Sequence, residues 1–383
     1  VSPWDERVWQ LRGDPLLNGA GVGPLVGETL AVKDLYAVAG LSTGAGNPAR
    51  LAAAAPADTD AEVVAALLDA GADLRGITQT EEFAYSLSGT NAHYGAPPNP
   101  AAPGRVSGGS SSGSATAVSL GEATIGLGTD TAGSIRVPAS YQGLFGIRTT
   151  HGAVSREGVL PLAPSFDTVG WMTRDAGLLA RVGGVLVPGT ATDADRRFVT
   201  VPGLLELAHV DVAAAVAAWQ PGLAVPVTWP VEDLDPWRDA FTTVQAWEAW
   251  QAHGAWLGSR MDTLGADVRA RFERASRVTA DEADAARTVL AGARDALDEL
   301  VGDRIVVLPA TPTVAPELGP GLSERLQSVR EATLTLTCLA AIGGLPAVTV
   351  PLRTAAGLPC GASLLAGRGR DHDLLQIAAT LTN

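Results

Sequence analysis

Two glycine- and serine-rich turns stand close together in this chain. They are Gly108-Gly109-Ser110-Ser111-Ser112-Gly113-Ser114 and Gly128-Thr129-Asp130-Thr131-Ala132-Gly133-Ser134. A Gly/Ser linker normally joins two solvated segments. Here the first turn ends a Gly-, Pro-, Asn- and Ser-rich loop over 95–114 and enters an Ala/Val/Leu stretch that reads as a buried helix to Leu120. Residues 123–128 then read as a strand running into the second turn. Two turns of small residues pinned to buried elements bring backbone close to backbone. A glycine-rich turn entering a helix aims N–H groups at an anion or a developing oxyanion.

The same alternation runs through the rest of the chain. Residues 25–32 read as a strand leading into Lys33, and 73–78 as a short strand. Residues 57–71 read as a helix, with Asp58, Thr59 or Asp60 as cap and Gly71 as stop. A helical region spans about 206–300, where Phe241, Trp247, Trp250 and Trp256 form an apolar stripe that reads as core. Strands are expected at 305–308, 347–350 and 362–365, and a final helix at 374–381. Alternating strands and helices point to an α/β layered fold. No low-complexity linker divides the 383 residues. One domain over 1–383 is therefore expected, with about 200–303 as a helical insertion.

Composition narrows the function. The net charge is −14, which argues against nucleic acid and against an anionic membrane surface. No apolar run approaches the ~18–20 residues of a membrane span. Cys338 and Cys360 cannot build a disulfide framework or a cysteine zinc site. The opening Val-Ser-Pro-Trp-Asp-Glu-Arg has no basic and apolar leader pattern, so a cytoplasmic location is expected. No metal and no cofactor is expected. Homodimerisation stays open.

Lysine occurs once, at Lys33. Arginine cannot lose its proton in a protein, whereas a buried lysine can. None of the five histidines sits beside a strong nucleophile signature. His93 and His151 lie in loops and could line a pocket; His209, His253 and His372 read as surface or structural. A serine hydrolase without a histidine base can use a lysine. Lowering that lysine from its ordinary ~10.4 to ~7 costs ~4–5 kcal/mol, which burial among apolar neighbours such as Leu30, Val32 and Leu35 can impose. Asp34 should point to the other face, away from the amine. Twenty-four residues separate Ser110 from Ser134. Small residues before Ser134 let a carbonyl approach the backbone, and Asp130 and Arg136 are placed to clamp that turn by an ion pair.

The run 108–138, closing on Thr-Asp-x-x-Gly-Ser-Ile-Arg-x-Pro, resembles the signature of the amidase signature family. So do the 30–34 stretch Leu-Ala-Val-Lys-Asp, residues 80–84, Asn99-Pro100, 143–148, 308–312 and 344–347. The resemblance is weakest from about 200 to 300. It implies the amidase signature fold, a central mixed, twisted β-sheet covered by α-helices. It also implies a Ser–Ser–Lys triad: Ser134 the nucleophile, Ser110 the relay after a cis peptide bond, and Lys33 the base. The backbone N–H groups of Thr131, Ala132, Gly133 and Ser134 would form the oxyanion hole. Ala132 stands where the family usually has a glycine, and its methyl could narrow the hole or forbid positive φ.

Residues 91–95, 138–141 and 165–171 are similar to the subgroup that hydrolyses indole-acetamide and related aryl-acetamides. An uncharged pocket for an apolar or aryl amide follows, walled by Tyr85, Leu87, Tyr141 and Trp171, with Phe83 beside them. The same triad would serve an ester, anilide, carbamate or allophanate-type substrate. A subunit of a tRNA-dependent amidotransferase fits the acidic charge and short chain less well. A silent binding protein on the same fold would not need all three triad residues.

Overall fold

A computed structural model describes residues 4–192, 196–219 and 224–381. Residues 1–3 of the opening stretch and 220–223 of the helical region lie outside the described residues. The strands are β1 Trp9–Leu17, β2 Thr29–Lys33, β3 Asp73–Thr78, β4 Ile125–Thr129, β5 Phe145–Arg148 and β6 Val169–Thr173. They continue with β7 Phe198–Thr200, β8 Val225–Pro226, β9 Ile305–Pro309, β10 Ala347–Arg353 and β11 Pro359–Leu365. Together they form one mixed sheet in the order β1-β3-β2-β4-β6-β5-β10-β11-β9-β7-β8. β2 runs parallel to β3 and β4, with Val32 opposite Ile77 and Leu127. From β4 through β6, β5, β10 and β11 to β9 every pairing is antiparallel.

β2 explains why Lys33 is where it is. Parallel strands are covered on both faces and read as continuous apolar runs. Leu30, Ala31 and Val32 are 0% exposed, and so is Lys33 at the end of the same strand. Each buried Leu or Val contributes about 1.5–3 kcal/mol, enough together to hold one amine out of water.

The small residues of the two turns serve close packing. The helix Ser112–Ser119 lies directly on the sheet. A Cβ on Gly126 of β4 would fall 2.7 Å from the carbonyl oxygen of Ser114. A Cβ on Gly113 would fall 2.6 Å from the carbonyl oxygens of both Gln79 and Val8. Side chains at either position would push helix and sheet apart.

Helices Leu234–Leu257, Ala266–Ala275, Ala280–Val301 and Leu322–Gly343 form a layer beside the sheet. Ala280–Val301 opens on a capping box: Glu282 N donates to Thr279 Oγ1 (3.2 Å) and Thr279 N to Glu282 Oε2 (2.8 Å). Phe241 is core, its ring 4.6 Å from that of Phe166, whereas Trp247, Trp250 and Trp256 are only half-buried.

Three expectations need correction. The 57–71 helix begins only at Glu62, because Ala57 bridges to Ala39 and Asp60 Oδ1 accepts the N–H of Ala39. None of Asp58, Thr59 or Asp60 caps it; Ala61 is its cap residue, and Gly71 (φ +98°) turns the chain. The 206–300 region is not purely helical, since β7 just before it and β8 within it extend the sheet beyond β9. Strands β1, β5 and β6 and the helix Leu322–Gly343 are additions to the sequence reading. Among the described residues no helix is long and apolar enough to cross a membrane.

Candidate active site

Lys33 Nζ sits among three hydroxyls. It donates to Ser110 Oγ (2.8 Å), Thr129 Oγ1 (2.9 Å) and Ser111 Oγ (3.1 Å). Ser110 Oγ in turn donates to Ser134 Oγ at 2.9 Å. The sheet and the two turns thus bring the three expected groups into one continuous line. The Gly109–Ser110 peptide is cis. Burial lowers Lys33 to about 7, against a weaker upward pull from the carboxylates of Glu81, Asp130 and Asp167. Asp34 faces away, its carboxylate accepting the N–H groups of Gly44 (2.8 Å) and Gly46 (3.2 Å). Burial pushes Asp34 up to about 7.

Asp130 organises the turn that carries Ser134. Its Oδ1 accepts Gly133 N (2.8 Å), and its Oδ2 accepts Ile135 N (3.2 Å). Arg136 Nη2 (2.8 Å) and Arg148 Nη1 (3.1 Å) donate to Oδ1, and Arg136 Nε (3.0 Å) to Oδ2. All three side chains are essentially out of solvent. This is no exposed surface bridge worth ~0–1 kcal/mol, but a buried cluster whose ions satisfy one another. Burial by itself would raise Asp130; the guanidiniums of Arg136 and Arg148 outweigh it and hold the carboxyl well below its ordinary range. Arg148, on β5, gave no separate signal in the sequence. Neither did Asp167, which accepts from Thr131 Oγ1 at 2.6 Å.

Of the four N–H groups expected to receive an oxyanion, that of Gly133 is committed to Asp130. Among the described residues, those of Thr131, Ala132 and Ser134 carry no hydrogen-bond partner. The left-handed residue of the turn is Gly133 (φ +118°), not Ala132. The alanine therefore occupies its position without a positive φ, and its carbonyl accepts from Thr337 Oγ1 at 2.6 Å.

Ser134 opens onto a cavity of about 820 Å³. Tyr85, Leu87 and Tyr141 line it, together with Val137 and Leu162. Trp171 does not belong there. It is 0% exposed, and its indole N–H donates to Leu179 O (3.0 Å) in the helix Ala176–Leu186, so it is core. Phe83 is also core, 5.6 Å from Phe272 in an edge-to-face pair. Phe83 and Ala84 both take positive φ (52° and 57°), a strained pair that sets Tyr85 at the wall.

The expectation of an uncharged pocket fails, because three arginines also line the cavity. One helix from the least recognisable part of the chain, Ala266–Ala275, brings Arg271 and Arg274, and Leu322–Gly343 brings Arg330. His93 and His151, expected as possible pocket residues, do not line this cavity: His93 Nε2 is 2.8 Å from Glu82 Oε1, and His151 contacts the carbonyl of Pro164, as His253 does that of Pro161.

The family model described as Amidase matches residues 12–201. Amidase 1 of Arabidopsis thaliana is 37% identical over 96% of this chain and 95% of its own length. A crystal structure of an amidase superposes with a TM-score of 0.86 at 28% identity, covering 99% of this chain and 92% of that one. An allophanate hydrolase of Kluyveromyces lactis superposes with a TM-score of 0.82 at 27% identity, over 94% of this chain and 62% of that one. The fold, the two turns and these likenesses agree: the chain belongs to the amidase signature family, hydrolases that act on amides.

Proposed function

We propose that this protein cleaves the C–N bond of a small carboxylic amide with an apolar or aryl body, through an acyl-enzyme on Ser134. The observation that carries this reading is the line Lys33 Nζ, Ser110 Oγ, Ser134 Oγ, with links of 2.8 and 2.9 Å and the amine buried.

Once the amine is neutral the hydroxyls rotate, so that Ser134 Oγ–H donates to Ser110 Oγ and Ser110 Oγ–H to the lone pair of Lys33 Nζ; Lys33 then takes the proton of Ser110 as Ser110 takes that of Ser134. Ser134 Oγ bonds to the amide carbon, and the carbonyl electrons move onto oxygen. That oxyanion is received by the free N–H groups of Thr131, Ala132 and Ser134. As the tetrahedral adduct collapses, the proton returns from Lys33 through Ser110 to the leaving nitrogen, and the C–N bond breaks. Water then attacks the ester by the same relay and releases the acid. Tyr85, Leu87, Val137, Tyr141 and Leu162 would seat the apolar body next to the reacting carbon.

The test is ammonia release from phenylacetamide together with mass-spectrometric detection of an adduct on Ser134 after a fluorophosphonate. Turnover lost in Ser134→Ala, with the adduct, supports the reading; turnover that persists in Ser134→Ala overturns it. A second reading changes the bond to a carbamate, ester or allophanate. The likeness to an allophanate hydrolase supports it, because the relay handles any leaving group. Kinetics on an amide, an anilide, a carbamate and an ester of one acid would separate the two.

A further inference from the structure

The cavity is mixed in chemistry. Its lining pairs apolar side chains, Leu87, Val137, Tyr141 and Leu162, with the cations of Arg271, Arg274 and Arg330, and Ser134 opens onto the same space. Arg271 and Arg274 stand three residues apart on Ala266–Ala275 and share a face. Arg330 comes from Leu322–Gly343. Arg271 is aimed by one hydrogen bond, from its Nη1 to the carbonyl of Tyr85. Among the described residues, the guanidiniums of Arg274 and Arg330 make no hydrogen bond, and no carboxylate closes an ion pair with any of the three, although buried Glu81 feels the charge of Arg271. Asp267 and Glu324 line the same cavity, and Asp267 is the acid whose pull reaches Arg330.

We propose that Arg271, Arg274 and Arg330 form a subsite for a carboxylate at the far end of the substrate, so that the preferred amides are half-amides of dicarboxylic acids with an apolar spacer. This rests on the amide-hydrolase reading of Ser134 and names its substrate class.

Three guanidiniums facing one cavity repel one another, and an anion between them relieves that repulsion with charge-assisted, bidentate hydrogen bonds. Arg330 already feels the strain: burial, then Arg271 and Arg274, lower it to about 10, so it stays charged at neutral pH. The arrangement is held in place. Gly265, at the start of the Arg271 helix, donates its N–H to buried Glu82 Oε2 at 2.8 Å, and Asn47 Nδ2 donates to Glu82 Oε1 at 2.8 Å. An anchored cation cluster and Ser134 on one cavity suit a substrate that carries both an anion and an amide.

The experiment compares matched pairs on the full chain: adipamate against hexanamide, and 4-carboxyphenylacetamide against phenylacetamide. The expected kcat/KM ratio, charged over neutral, is about tenfold or more in the wild type. Arg330→Gln and Arg274→Gln should bring that ratio toward one, mainly through KM. Arg325→Gln should keep it, since Arg325 bonds Pro320 O outside the cavity. A neutral amide used as well as its charged partner by the wild type overturns the subsite. If neither series is hydrolysed, the reading of Ser134 fails, and calorimetry with adipate still decides the subsite. Binding by the wild type that Arg330→Gln abolishes supports it; no binding by the wild type overturns it.

Discussion

Thr129 Oγ1 stands 2.9 Å from Lys33 Nζ, so the last residue of β4 holds the amine at the end of β2. Thr129→Val keeps the shape and removes that hydroxyl. The amine then loses one of its three fixed contacts, and turnover should fall about tenfold with the fold unchanged. Circular dichroism and kcat/KM on one amide would check it; unchanged kcat would show that Ser110 and Ser111 suffice.

Turnover should follow the protonation of Lys33. Burial brings the amine to about 7, and only the neutral form can act as base. Below that pH, kcat/KM should drop about tenfold per unit. Lys33→Arg should be as inactive as Lys33→Ala, because guanidinium keeps its charge. A flat profile from pH 5 to 8 would contradict the assignment.

The same burial predicts a stability signature. The unfolded lysine holds its proton up to its ordinary value of 10.5, whereas the folded one releases it near 7. The unfolded chain therefore binds more protons between those values, and this residue's penalty, of order 4–5 kcal/mol at most, is full below 7 and fades as pH rises. Urea unfolding at pH 7 and 9.5 should show a stability gain in the wild type that exceeds the gain in Lys33→Met.

Asp130→Asn should leave Arg136 and Arg148 buried without their anion. The expected cost is about 3–5 kcal/mol, with loss of fluorophosphonate labelling at Ser134. Because pairing holds Asp130 below its usual range, its contribution is complete at neutral pH and is lost only in strong acid. Acid unfolding of the wild type and Asp130→Asn should converge there.

Gly133→Ala should be far worse than Ala132→Gly. Gly133 sits at φ +118°, and a Cβ there would lie 3.0 Å from Thr337 Cγ2. Strain of about 1–3 kcal/mol is expected, with collapse of turnover. Ala132→Gly frees a position that is not strained and should stay within about threefold of wild type in kcat/KM.

The meeting of Lys33, Ser110 and Ser134 was legible in the sequence because its parts are local or unique: two serines in one stretch of small residues, and one lysine. Asp130 and Arg136 could be paired for the same reason. The pocket was not. Its wall is assembled by tertiary packing of helices far apart in sequence, and nothing local tells that Arg271 and Arg330 meet one cavity. Trp171 was misplaced because an aromatic in a strand does not say which face is lined by ligand and which by helix. Arg148 was invisible as a site residue because one arginine in a four-residue strand looks like any other.

Lys33, Ser110 and Ser134 all come from β2 and the two turns that β4 and its neighbouring helix hold together, whereas the arginines come from the helical layer. The proposed relay and the proposed carboxylate subsite are thus built from separate stretches of chain. Substitutions in those helices can alter the second without moving Lys33, Ser110 or Ser134.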